Sequence, residues 1–170
     1  DDKPQYLLKV VEKTPGSGIV YVRSRKQTKE VCELLQKSGF SADFYHAGLS
    51  TAVRSQKQDE WKSGKTKIVV ATNAFGMGID KPDVRFVVHM DVPDSVESYF
   101  QEAGRAGRDE QRAYAVLLYN DADRTKFDQR IRVEFPPIET IKNIYQAVCT
   151  FLNIPFGAGK NMAYDFNLTS

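Results

Sequence analysis

Cysteine is almost missing from this chain: Cys32 and Cys149 stand far apart and no C-x-x-C pattern occurs. That spacing offers no local metal knuckle, and the usage fits a reducing cytosol. Cys32 lies in the apolar pattern Val31-Cys32-Leu34-Leu35, which marks a buried, inert thiol. Long apolar runs are absent too. The longest, such as Ala113–Leu118, are far too short to span a bilayer, so no membrane contact is expected. The first residues, Asp1-Asp2-Lys3-Pro4, lack the basic-then-apolar order of an export signal. There is no initiator methionine, and the chain stops abruptly at Ser170, which reads as a piece of a longer protein. Charge of one sign is also lacking. Lys and Arg total 24 against 22 Asp and Glu, and so small an excess does not announce a nucleic-acid partner without a clustered basic face. Two histidines without acidic or cysteine partners make no metal site.

What is present is a core-forming chain of 170 residues, 41% hydrophobic and 27% charged, sized for one domain with a short appendage. Strand-like and helix-like segments alternate. Gly18–Arg23 is a β-branched and aromatic run, followed by a helix over Arg25–Ser38. Ser24 and Gln27 have the spacing of a capping box there, and Gly39 is a natural stop. Ala42–His46 reads as a strand, and Thr51–Lys62 as a helix capped by Ser50. Lys67–Thr72 and Arg85–Val92 read as strands around a glycine-containing loop. Asp94 with Glu97 suggests another capping box, opening a helix that runs into Gly104–Arg108. Tyr114–Tyr119 is a fifth strand and Ala122–Arg132 a helix. Near-continuous apolar strands alternating with helices imply an α/β fold: a mainly parallel sheet covered on both faces in three layers. In such sheets the chemistry gathers beyond the carboxyl ends of the strands, where Ser24, His46, Thr72 and Asn73 fall. After Pro136-Pro137, apolar residues from Ile138 to Leu152 recur at helical spacing. The expected division is therefore residues 1–135 as the α/β domain and 136–170 as a helical appendage and connector.

Three segments carry candidate chemistry. Gln101, Arg105 and Arg108 are spaced by four and three, which puts them on one helical face or at its end. Gly104 and Gly107 weaken a helix by about 1 kcal/mol each, so they need another purpose. One purpose is close approach of a polyphosphate to two permanently charged guanidinium groups; the alternative is a helix end with two solvated arginines. Val69–Val84 leaves a strand at Thr72-Asn73 and passes Gly76-Met77-Gly78 to Asp80. It suits either phosphate and sugar contacts or a plain glycine turn. Tyr45–Ser50 joins a strand to a helix start, where N–H groups can bind a phosphate, with His46 as a ligand-side or merely polar strand-end residue.

Taken in order, Gly18–Arg25 (GIVYVRSR), Tyr45–Ser50 (YHAGLS), Val69–Val84 and Ser98–Asp109 (SYFQEAGRAGRD) resemble the motif series of the second RecA-like domain of superfamily-two helicases. The wording FGMGIDKPDVRFVVH followed by QEAGRAGRD resembles the RecQ family, and Gln101 stands where DEAD-box RNA helicases usually carry histidine.

The resemblance implies an ATP-driven, 3′-to-5′ DNA helicase acting in DNA repair and recombination. Its partners would be single-stranded DNA, duplex junctions and a first RecA-like domain of the same chain. ATP would lie between the two domains, with Mg2+ held by the first. Arg108 would reach the γ-phosphate, Arg105 would assist and Gln101 would couple the site to the neighbouring domain. Asp80 and Gly78 would help form the nucleotide cleft. Ser24, Arg25, His46, Thr72 and Asn73 would lie along the DNA backbone. A cytosolic, nucleoid-associated place in a bacterium would follow. The departures set limits: no G-x-x-x-x-G-K-[ST] segment or DEAH-like box occurs, so this chain alone is expected to lack ATPase activity. The four-cysteine module common after this domain in the family is not matched, so no zinc is expected here. Two other readings stand beside this one: a RecA-like binding module without catalysis, or another superfamily-two translocase. The intact arginine pair argues against the first.

Overall fold

The computed structural model describes residues 2–76 and 79–152, which fall into two compact units divided between Asp123 and Arg124. The first unit is built on a five-stranded, wholly parallel sheet in the order β2-β3-β1-β4-β5. Its strands are β1 (Ser17–Tyr21), β2 (Ala42–Tyr45), β3 (Ile68–Ala71), β4 (Val84–His89) and β5 (Tyr114–Leu117). The helices are α1 (Lys3–Lys13), α2 (Arg25–Lys37), α3 (Thr51–Lys62) and α4 (Val96–Ala103), with α5 (Asp121–Glu134) starting at the unit's end.

The two-residue alternation of strands sends neighbouring side chains to opposite faces, and β1 shows the result. Val20 and Val22 join Leu7, Val11, Cys32 and Leu35 from α1 and α2 on one face. Ile19 and Tyr21 join Trp61, Phe75 and Ile79 on the other. The layers are thus helix, sheet and helix, as in RecA-like domains. Burial holds the Cys32 thiol in its protonated form, its pKa pushed up to about 11. The outermost strand, β5, is the exception, because three of its four residues are exposed.

Local signals explain most boundaries. Ser24 and Gln27 form a complete capping box, and the Ser50 hydroxyl accepts from the Val53 N–H. The expected box of Asp94 and Glu97 is not formed. Ser95 caps α4 instead, accepting from the Ser98 N–H at 3.1 Å, and Asp94 turns to pair with Arg23. A hydroxyl next to the helix wins over a carboxylate one residue earlier that finds a guanidinium. The sequence reading also passed over α1. Its start is pinned by Lys3, which donates to the Met90 carbonyl at 2.6 Å and pairs with Asp123 at 2.6 Å, both side chains largely buried.

The second unit contains the remainder of α5 and α6 (Ile138–Phe151). In α6, Ile138, Ile141, Ile144, Tyr145 and Phe151 are all exposed, while Cys149 is buried.

Candidate nucleotide and nucleic-acid site

Every strand of the parallel sheet ends on the same edge, and the candidate residues stand along it. After β3, the chain turns through Thr72 to Phe75, whose N–H donates to the Thr72 carbonyl at 3.0 Å. It reaches Gly76 at φ +129°, a conformation open to glycine and strained for other residues. From Ile79 to Asp83 it returns to β4, held by Lys81. That ammonium is buried, donates to the Lys62 carbonyl at the end of α3 at 3.1 Å and pairs with Asp83 at 3.1 Å.

After β4, α4 runs from its Ser95 cap to Ala103 and stops there. Gln101 therefore lies on the helix, while Arg105 and Arg108 lie in the turns beyond it. Gly104 and Gly107 shape that turn, and Gly104 also lines the cleft described below. A Cβ on Gly104 would stand 2.8 Å from the Phe100 carbonyl, and Gly107 sits at φ +69°. The turn is tied down at three points. Gly107 donates to the Val84 carbonyl at 2.9 Å and Asp109 to the Pro82 carbonyl at 3.2 Å. The Asp109 carboxylate also receives two hydrogen bonds from Arg85 on β4, at 2.5 and 2.6 Å.

These two loops enclose an open cleft of about 670 Å³, lined by Gly76, Ile79, Asp80, Phe100, Gln101, Gly104, Arg105 and Arg108. Arg105 donates to the Gly76 carbonyl at 2.6 Å, and a Cβ on Gly76 would lie 2.4 Å from the guanidinium carbon. The Arg105 Nε–H is buried and has no hydrogen-bond partner among the described residues. Arg108 pairs with Asp80 at 3.1 Å in the open, with Asp80 largely exposed. A surface pair of this kind contributes about 0–1 kcal/mol, so an incoming anion displaces it readily. Two guanidinium groups, one locked and one loosely held, beside the Gln101 amide, fit the phosphate end of a nucleotide, with Ile79 and Phe100 as the apolar part of the wall. Gln101, Asp80, Arg105 and Arg108 thus line one cleft. Gly78 lies outside the described residues.

The other candidates gather around the tips of β1, β2 and β3. The Arg25 guanidinium lies over Gly48, where a Cβ would come within 2.9 Å of it. His46 is buried, stacks on Phe44 at 5.7 Å between centroids, and has an Nδ1 without a partner among the described residues. Burial, then the charges of Arg25 and Lys29, hold the imidazole below its usual pKa, favouring the neutral ring. Thr72 is buried and donates its N–H to the Tyr45 carbonyl at 3.3 Å, while Ser24 and Asn73 are exposed. Asn73 lines a small depression with Arg23, Asp91, Asp94 and Glu102.

Sequence reasoning missed Arg85, Lys81, His89 and Glu102. His89 is 1% exposed at the end of β4, and its Nε2 lies 2.8 Å from the Glu102 carboxylate. Both lie in the segments RFVVH and QEAGRAGRD, but neither has a permanent charge whose sign advertises a phosphate ligand.

The helicase conserved C-terminal domain family matches residues 2–110. A RecQ-like DNA helicase of Caenorhabditis elegans is 49% identical over 130 residues, covering 74% of this chain and 13% of that protein. The ATP-dependent DNA helicase RecQ of Haemophilus influenzae is 50% identical over 120 residues, covering 71% of this chain and 19% of that protein. The chain thus spans less than a fifth of the length of either relative. In structure, it resembles the C-terminal domain of the DEAD-box protein Dbp5 with a TM-score of 0.64 and 26% identity over 79% of each chain.

Proposed function

The chain belongs to the helicase conserved C-terminal domain family, and from that premise we propose that it is the second motor domain of an ATP-driven DNA helicase of the RecQ type. ATP and Mg2+ are held mainly by a first RecA-like domain, and this chain closes the cleft from the other side. One observation carries the reading: Arg105 and Arg108 meet Gly76 and Asp80 in a single cleft built from two separate loops. A domain that only binds DNA has no use for that convergence.

Each side chain has a task within it. Arg108 is the mobile charge, able to leave Asp80 and stabilise the negative charge that builds on the transferred phosphoryl group. An arginine so used is worth about 10³–10⁵ in rate. Arg105, clamped to the Gly76 carbonyl, gives a fixed positive wall, and Gln101 on α4 meets the neighbouring domain. Asp80, once free of Arg108, is an acceptor for a sugar hydroxyl. Ser24, Arg25, His46, Thr72 and Asn73 hold the DNA backbone, with Arg25 supplying the charge and the others neutral contacts that read no sequence. The isolated chain, lacking a phosphate loop, hydrolyses no ATP.

The test uses the full-length protein that carries this chain. Single-stranded DNA should stimulate ATP hydrolysis more than RNA of the same length. Arg108→Ala should abolish turnover while fluorescent-nucleotide binding persists. Near-normal turnover in that variant removes Arg108 from its role, and equal stimulation by RNA points instead to another superfamily-two translocase.

A further inference from the structure

Glu102 follows Gln101 in α4 but meets different partners. Successive helical residues point about 100° apart, so Gln101 lines the nucleotide cleft while Glu102 turns to the sheet. Its carboxylate lies within hydrogen-bond distance of His89 Nε2, at 2.8 Å, and only 13% of the Glu102 side chain is exposed. His89 ends β4 and sits in register with Tyr21, which ends β1. The two rings stack at 5.2 Å with planes 19° apart, and Tyr99 covers His89 from α4 at 5.1 Å. The Tyr21 hydroxyl donates to the Phe75 carbonyl at 3.1 Å. The next carbonyl, of Gly76, receives Arg105. A closed ring results: Glu102, His89, Tyr21, Phe75-Gly76 and Arg105, returning to the segment that follows α4.

Outside the ring, Glu102 shares its small depression with Asn73, in the loop assigned to DNA. It therefore faces the same depression as the DNA-side loop on one flank and, through His89 and Tyr21, meets the support of Arg105 on the other. Burial raises the Tyr21 phenol well above its ordinary pKa, so it remains a hydroxyl donor across the working range. His89 Nδ1 has no partner among the described residues, so Glu102 holds the imidazole by its other nitrogen.

Resting on the functional reading above, we propose that Glu102 is a positioning residue that couples DNA engagement to the cleft arginines through His89. With DNA bound, the Thr72–Phe75 loop is fixed, and the ring carries that constraint to Arg105. Without the carboxylate, His89 loses its anchor, α4 loses its tie to β4, and the DNA-side loop and the arginine segment settle independently.

The test measures ATP hydrolysis by the full-length protein with and without saturating single-stranded DNA. Glu102→Ala should cut the DNA-stimulated kcat by about tenfold while the DNA-free rate and the KM for ATP stay within about twofold. Glu102→Gln, whose amide oxygen still accepts from His89, should recover stimulation to within about threefold of the wild type. His89→Phe keeps the ring stack but removes the donor, and should match Glu102→Ala. Wild-type stimulation in Glu102→Ala or His89→Phe overturns the proposal. So does a parallel fall of stimulated and DNA-free rates, which marks a merely structural role. Absence of DNA stimulation in the wild-type protein overturns the functional reading itself, which separates the two failures.

Discussion

Arg85, near the start of β4, grips both carboxylate oxygens of Asp109, the residue that follows Arg108. The pair fixes the end of the arginine turn to the sheet, 24 residues earlier in the chain. The cleft thus has a rigid back and a more exposed tip: Asp109 is held to the sheet, while Arg108 reaches the Gly104 carbonyl at 3.3 Å and the exposed Asp80 at 3.1 Å.

The same pair sets a pH dependence. Hydrogen bonds from Arg85 hold the Asp109 carboxyl below its ordinary value of 3.8. A depressed folded-state pKa contributes stability that is complete above the unfolded value and is lost as pH falls through the folded one. Acid denaturation should therefore begin less steeply below about pH 4 in Asp109→Asn than in the wild type. Superimposable acid limbs in a pH series of thermal melts would show that the pair is not stabilising.

Gly76→Ala meets two obstacles at once, the Arg105 guanidinium at 2.4 Å and a backbone φ of +129°. Arg105 must leave its carbonyl partner, so DNA-stimulated kcat in the full-length protein should fall by about tenfold or more, equivalent to about 1.4 kcal/mol of transition-state stabilisation. The backbone strain adds roughly 1–3 kcal/mol of lost stability, readable by urea denaturation. Unchanged turnover would mean that the contact between Arg105 and Gly76 is incidental.

Arg25→Ala should weaken single-stranded DNA binding and lower the slope of log affinity against log salt by about 0.7, the share of one phosphate contact. Fluorescence anisotropy at several salt concentrations measures both. A loss of affinity with an unchanged slope would indicate that Arg25 supports Gly48 and the YHAGLS turn without touching phosphate.

At the start of α4, Ser95→Ala should cost about 1 kcal/mol of stability, the usual worth of a side-chain cap. Asp94→Ala should cost less, since Asp94 contributes an exposed ion pair instead. The reverse order in chemical denaturation would restore Asp94 as the effective cap.

Much of this was legible in residue patterns. Val20 and Val22 against Ile19 and Tyr21 encode a strand buried on both faces, and Ser24, Gln27 and Ser50 encode helix starts that form as written. The glycines around Arg105 marked a weakened helix, and there the helix ends. What escaped was long-range. Nothing local tells Asp94 to abandon the helix for Arg23, or His89 to seek Glu102, because those choices depend on which strand tips become neighbours. α1 escaped because Tyr6-Leu7-Leu8 and Val10-Val11 form a nearly continuous apolar run, interrupted only by Lys9, rather than one clean helical stripe. Its anchor at Lys3 exists only once Met90 and Asp123 are folded nearby.

The strand order has a mechanical meaning. β1 separates β3 from β4, and Tyr21 at its tip lies in register with Ala71 on one side and His89 on the other. The loop that follows β3 and the segment that follows β4 consequently leave the sheet about two strand spacings apart, or ~10 Å, across continuous hydrogen-bonded backbone. So short and stiff a gearbox stores little slack.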